Sequence, residues 1–240
     1  MDLSIIIPVY KESTKISHDI EAAAAFLTNQ NMTGEIIVVD DGSGDNTADV
    51  ARQTAVPKTV SLLVLANEKN RGKGYTIRSG MAKSSGSVIM FADSGLCIPY
   101  DELLKGYAMI RDGRCEIAHA SRKLPDSNII IPQAWHRRIS SRIFRWVLVI
   151  YMKMPMQFSD TQCGFKLYAG DIGRSLYQAA FTDGFMFDVE IILRALKKGY
   201  RIKEFPVSWR CDRDSRLSVT GNQQQVFAEL KEIREAIKSQ

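Results

Sequence analysis

The sequence predicts an α/β protein whose central sheet is mainly parallel and carries helices on both faces. Three observations support this. Strand-like and helix-like segments alternate through roughly the first ninety residues, the pattern of right-handed βαβ units. Residues 36–39 are four consecutive β-branched residues with no polar alternation, which suits a strand covered on both faces. That run ends in D-D-G-S-G, so two acids and a turn fall at the carboxyl end of a buried strand. Open α/β sheets bind their ligands at that edge.

Residues 3–9 read as the first strand, ending at Pro8, which cannot donate to a sheet ladder. The loop P-V-Y-K-E follows, then an alanine-rich helix over 17–29. The second strand is 35–39, with a helix over about 45–54 that Asp45, Asn46 and Thr47 can cap unaided. Asp40 and Asp41 exceed that capping need and point to a polar ligand. A third strand over 60–66 leads through N-E-K-N-R-G-K-G to a helix over 75–84. The fourth strand, 87–92, ends at Asp93. Later elements are less regular: a helix over 100–112, a strand over 116–120 and a basic connector over 122–141 with few structure signals. Helices over 140–154, 185–198 and 223–237 and a strand over 202–207 complete the chain. Without a repeat or a clear linker, residues 1–240 are expected to form one domain.

At 240 residues, 45% hydrophobic and 25% charged, the chain has the composition of a globular protein able to bury a full core. Its net charge of +5 is concentrated in 111–145 and 194–216, which implies anionic partners. No aromatic-interleaved basic platform is present, which argues against nucleic acid. The four cysteines lie far apart, without a C-x-x-C pair, so neither a zinc site nor a disulfide framework is expected and a reducing cytoplasm fits. The start, M-D-L-S-I-I-I-P, lacks the basic region and apolar length of a signal peptide. No run approaches the roughly 18 apolar residues of a membrane span. The expected location is cytoplasmic, peripheral to a membrane at most.

The loop Asn70-Arg71-Gly72-Lys73-Gly74 opens a helix with two glycines and two cations. Glycine lets backbone approach an anion, and a helix start offers N–H groups, although neither G-x-x-x-x-G-K-[ST] nor G-x-G-x-x-G is present.

Taken in order, I-I-I-P-V-Y-K-E, V-V-D-D-G-S-G-D-N-T, N-R-G-K-G-Y-T-I-R-S-G-M, F-A-D, D-T-Q-C-G-F-K-L-Y and F-M-F-D-V-E resemble the family 2 glycosyltransferases of GT-A fold, a Rossmann-like architecture. Within them the match is nearest to the polyprenyl-phosphate hexosyltransferases, in particular the dolichyl-phosphate β-glucosyltransferases, and it runs to about residue 217.

This resemblance implies an inverting transferase moving a hexose, glucose foremost, from a UDP-sugar to a polyprenyl phosphate at the membrane face. It also implies a nucleotide-binding half over 1–95 and an acceptor-binding half over 96–240. Pro8, Tyr10 and Glu12 would line the uridine pocket, Asp40 would accept from the uracil N3–H, Asp41 would close the same loop and Lys73 would reach the base or phosphates. Asp93 would begin the D-x-D motif that holds a divalent cation, Mg²⁺ or Mn²⁺, against the diphosphate. Here the run is D-S-G-L-C, with Gly95 at the second acidic position and Cys97 further on, where relatives often place a ligand. The ion is then left with Asp93, diphosphate and water, or a nearby cation substitutes.

Asp188, in a D-x-x-L-x-x-R-like helix start, would act as base or orient the acceptor. Glu190 should be structural. Gln162 and Cys163 would lie near the sugar, with Cys163 a packing residue. Arg122, Arg137, Arg138 and Ser141 would clamp the acceptor phosphate, arginine binding it in bidentate fashion. A phosphate monoester, its second pKa being about 6, needs no base. The apolar, cation-flanked run 143–156 suits a membrane interface, a buried core or a dimer contact. Two rival functions remain open: a GT-A transferase using a soluble or glycan hydroxyl, and a nucleotide-sugar-binding relative without turnover.

Overall fold

The computed structural model describes residues 1–131, 135–211 and 223–239, with backbone alone at 135–140, 223 and 239. Strands β1 (Leu3–Val9), β2 (Gly34–Asp40), β3 (Val60–Ala66) and β4 (Val88–Ala92) alternate with helices α1 (Ile16–Asn29), α2 (Thr47–Gln53) and α3 (Lys73–Lys83). A 3-10 turn (Tyr100–Glu102) and α4 (Leu103–Arg111) lead to β5 (Ile117–Ser121), then β6 (Asn128–Ile131) and α5 (Trp135–Tyr151). The remainder is β7 (Phe165–Ala169), α6 (Gly170–Ala179), α7 (Phe187–Lys197), β8 (Ile202–Pro206), β9 (Ser208–Arg210) and α8 (Gln223–Ser239).

Seven strands form one sheet in the order β3-β2-β1-β4-β7-β5-β8. Every pair is parallel except those made by β7, which runs antiparallel between β4 and β5. The mainly parallel expectation holds. The two faces bury alternate residues of the same strands: Leu3, Ile5, Ile7, Ile36 and Val38 join one core, and Ile6, Ile37, Val39, Ile89 and Phe91 the other. Burying each such side chain contributes about 1.5–3 kcal/mol, so slipping a central strand by one residue gains nothing and disturbs both layers.

Two features escaped the sequence. The run that becomes β7 is interrupted by Lys166, and α6 opens G-D-I-G with two poor helix formers. The basic connector also contains β6, which pairs in parallel with β9 as a separate ribbon. Helix α5 divides its apolar residues. Phe144, Val147, Leu148, Tyr151 and Met152 pack on the core, while Ile143, Trp146 and Ile150 are 61%, 58% and 74% exposed. Among the described residues no helix is long and apolar enough to cross a membrane.

Candidate active site

Strand order reverses direction at β1, which is flanked by β2 and β4, so the carboxyl ends of β1, β2 and β4 mark the switch point where open α/β sheets bind ligands. The organiser there is Asp41. Its Oδ1 accepts from Asn67 Nδ2 and from the Arg71 N–H, each at 2.9 Å, and its Oδ2 accepts from the Gly72 N–H at 2.9 Å. One carboxylate thus shapes the loop that delivers Lys73 to the start of α3. Asp41 closes the loop from within, as a structural acid.

Lys73 Nζ lies 2.5 Å from Asp93 Oδ1. Burial works against the ammonium, but Asp93 and Asp188 outweigh it and hold its pKa above the ordinary value. Asp93 is fixed by β7 as well as β4: its N–H donates to the Gly164 carbonyl at 2.8 Å. Its carboxylate also lies so close over Gly164 that a Cβ there would fall 2.0 Å from Oδ2. The glycine of D-T-Q-C-G is therefore the seat of Asp93.

Asp188, in the first turn of α7, is buried and ion-paired with Lys166, a fully buried lysine that also donates to the Thr161 carbonyl at 2.8 Å. Burial raises the Asp188 carboxyl above its usual range, against the pull of Lys166 and Lys73. Beside Lys166 in the sheet stands His119, buried with no partner for Nε2. Burial, then the Lys166 charge, push that imidazole well below its ordinary pKa, so it is neutral.

The other predicted nucleotide ligands differ in setting. Pro8 is a buried strand residue in register with Val39, one residue before the carboxyl end of β1. Tyr10, 38% exposed, lies just past it. The Glu12 N–H donates to Thr47 Oγ1 at 3.0 Å, and its carboxylate faces Lys15 at 3.9 Å. Asp40 accepts from the Ser43 hydroxyl and, at 3.4 Å, from the Ser43 N–H. A carboxylate has about four acceptor positions, so these bonds orient Asp40 without exhausting it.

On the acceptor side, Arg122 forms a two-point pair with Asp160, Nε to Oδ2 at 2.6 Å and Nη2 to Oδ1 at 2.8 Å. Burial pushes Asp160 up, but the adjacent guanidinium more than compensates and holds it at about 2. Glu204 accepts from the N–H groups of Ser159 and Asp160 and so fixes that turn. Ser141 Oγ accepts from Lys123 Nζ at 2.9 Å. Gln162 Nε2 is buried without a hydrogen-bond partner. Burial lifts the Cys163 thiol to about 12, which fits a packing role. The side chains of Arg137 and Arg138 lie outside the described residues. Glu190 accepts from the Phe181 and Thr182 N–H groups and from Arg194, as a structural acid should.

For a divalent ion the donor set is thin. Asp93 offers a carboxylate, Gly95 offers none, and among the described residues no group of three His, Cys, Asp or Glu is placed to hold a metal. These residues do not fit a two-carboxylate metal site. Sequence reading gave Asp19 and Glu204 no role, and took Asp160 and Lys166 only as parts of the D-T-Q-C-G-F-K-L-Y motif. Only Lys166, a lone charge inside the apolar run F-K-L-Y, left a local signal.

Against known proteins, the family described as "Glycosyl transferase family 2" matches residues 4–168. Curated relatives include the dolichyl-phosphate beta-glucosyltransferases of Drosophila melanogaster (29% identical, covering 87% of this chain and 67% of the relative) and Saccharomyces cerevisiae (28%, covering 86% and 66%). The chain spans about two thirds of the length of these relatives. Among solved structures, glucosyl-3-phosphoglycerate synthase from Mycobacterium tuberculosis, in complex with Mn²⁺, UDP-glucose and phosphoglyceric acid, superposes with a TM-score of 0.73 at 18% identity, covering 98% of this chain and 80% of that one. That likeness establishes the GT-A fold.

Proposed function

Because the chain belongs to glycosyl transferase family 2, we propose that it moves a hexose, glucose foremost, from a UDP-sugar to a polyprenyl phosphate at a membrane face, with inversion. The observation that carries this reading is the line of charge along the carboxyl edge of the sheet: Asp41 sets the loop, the loop sets Lys73, and Lys73 meets Asp93. A nucleoside diphosphate across this edge would meet Lys73 with its phosphates and Asp40 and Tyr10 with its base. Gln162 Nε2, an unpaired buried donor costing about 1–3 kcal/mol until a ligand accepts from it, suits a sugar hydroxyl.

A phosphate acceptor needs no base, and Asp188, buried and ion-paired with Lys166, would then serve to orient it. The acceptor phosphate would sit by Arg122, Lys123 and Ser141, with Arg137 and Arg138 on the same stretch of chain. Because Arg122 already grips Asp160, its contribution is field more than bidentate contact. The exposed stripe of Ile143, Trp146 and Ile150, flanked by Arg142, Arg145 and Lys153, suits a helix lying in a lipid interface. The dolichyl-phosphate names of the relatives support the same acceptor class.

The test is UDP release from UDP-glucose with undecaprenyl phosphate in vesicles, beside soluble glycan acceptors. Release that requires the lipid phosphate supports the reading, and release only with soluble hydroxyl acceptors refutes it. Asp188→Asn separates the same alternatives. A modest loss is expected for a phosphate acceptor, whereas a true general base costs about 10²–10⁴-fold.

A further inference from the structure

As the sugar is transferred, the acceptor oxygen forms a bond to the anomeric carbon and the bond from that carbon to the β-phosphate oxygen breaks. The electron pair stays on the departing diphosphate, so negative charge grows there and a cation must meet it. The loop after Asp93 is not built to share that task with a metal. Gly95 has φ +92° and Leu96 φ +48°, both left-handed. The Gly95 N–H reaches Asp19 Oδ1 and Oδ2 at 3.0 and 2.9 Å, and the Leu96 N–H reaches Oδ1 at 3.1 Å. Asp19 belongs to α1 and is itself buried, so the loop is shaped around an internal anion. An aspartate side chain at position 95 would have to adopt backbone angles that L-residues avoid. The second acid is therefore missing by construction of the backbone as well as by composition.

The remaining carboxylate, Asp93, already has a cation. Lys73 Nζ lies 2.5 Å from its Oδ1, with the lysine side chain 17% exposed. Its backbone is held on the N-terminal side by the bonds from Arg71 and Gly72 to Asp41. Such an ammonium is pre-placed and needs no reorganisation when charge develops beside it.

We propose that Lys73 supplies the positive charge that meets the departing diphosphate, in place of a divalent cation held by two carboxylates. Lys73 donates hydrogen bonds to the leaving oxygen and gives up no proton. Asp93 keeps the ammonium in line. The inference rests on the UDP-sugar reading above.

The experiment is calorimetric titration of UDP into the full chain, in EDTA and in Mn²⁺. The expected dissociation constants agree within about threefold, and Lys73→Met weakens binding in EDTA by about 10–100-fold, the loss of one charge-assisted hydrogen bond. Lys73→Arg is expected to retain binding in EDTA, and the melting temperature of each unliganded variant reports its folding. UDP binding seen only with Mn²⁺ overturns the inference and leaves the donor reading standing. So does unchanged affinity of Lys73→Met in EDTA. Binding in neither buffer overturns both.

Discussion

The two halves of the chain stabilise buried acids in opposite ways. Before residue 95 the buried aspartates have neutral donors as partners: Asp41 holds Asn67 and the Arg71 and Gly72 N–H groups, Asp40 holds Ser43, and Asp19 holds the Gly95 and Leu96 N–H groups, while the half-exposed Asp93 meets a cation, Lys73. Beyond it the partners are cations: Asp160 with Arg122, Asp188 with Lys166, Glu190 with Arg194. Asp19 and Asp160 make the contrast measurable. Burial outweighs the Gly95 and Leu96 N–H donors and raises Asp19 to about 6, whereas a guanidinium overcomes burial and brings Asp160 to about 2. In the first half Asp19, Asp40 and Asp41 shape loops. The second half pairs its buried acids with cations, so that among the described residues of the basic stretches Arg122 and Arg194 are already matched.

The severest way to break this comparison is Lys166→Met, which leaves Asp188 buried and unpaired. A loss of about 3–5 kcal/mol is expected in urea unfolding, and a loss under about 1 kcal/mol would show that the pair is not what neutralises Asp188. Next comes Arg122→Ala. The Asp160 value, about 2, lies below the ordinary 3.8, so its stabilisation is present in full above pH 3.8 and is lost as pH falls toward 2. The wild-type chain should lose about 2 kcal/mol more than Arg122→Ala across that window, read from chemical denaturation at each pH.

Asp41→Asn turns an amide toward an N–H that needs an acceptor, with an expected cost of about 1–3 kcal/mol. Weaker UDP binding should accompany it, because the loop carrying Lys73 loosens. The smallest effect is expected for Asp19→Asn, within about 1 kcal/mol at pH 7. Here the sign reverses. The folded value, about 6, lies above 3.8, so the folded state binds a proton between those values that the unfolded chain does not. Stability from this group therefore rises as pH falls through 6, and the variant should lack that rise in its melting curves.

The first half was the more legible. Strands β1 and β3 fall at the residues read from sequence, and β2, β4, α1 and α3 begin or end within about two residues of their expected limits. Continuous apolar strands and Gly-Asp turns are local signals, and parallel βαβ units are built from local order. β7 and the β6–β9 ribbon were not legible, because β7 enters between β4 and β5 and β6 meets a partner about eighty residues away. Lys166 shows the limit most directly: a charge inside F-K-L-Y argues against a central strand until Asp188 arrives from another helix to accept it.

By itself the sequence determined the alternation of elements, the acids at the carboxyl edge and the family, since each depends on residue order and short-range pattern. Tertiary structure alone decided what those charges touch. It buried Pro8, tied Arg122 to Asp160, seated Asp93 on Gly164 beside Lys73, and bent the Gly95 loop onto Asp19. The physical reason is that a charge takes its role from neighbours within a few ångströms, and in a sheet wound out of sequence order those neighbours come from distant parts of the chain.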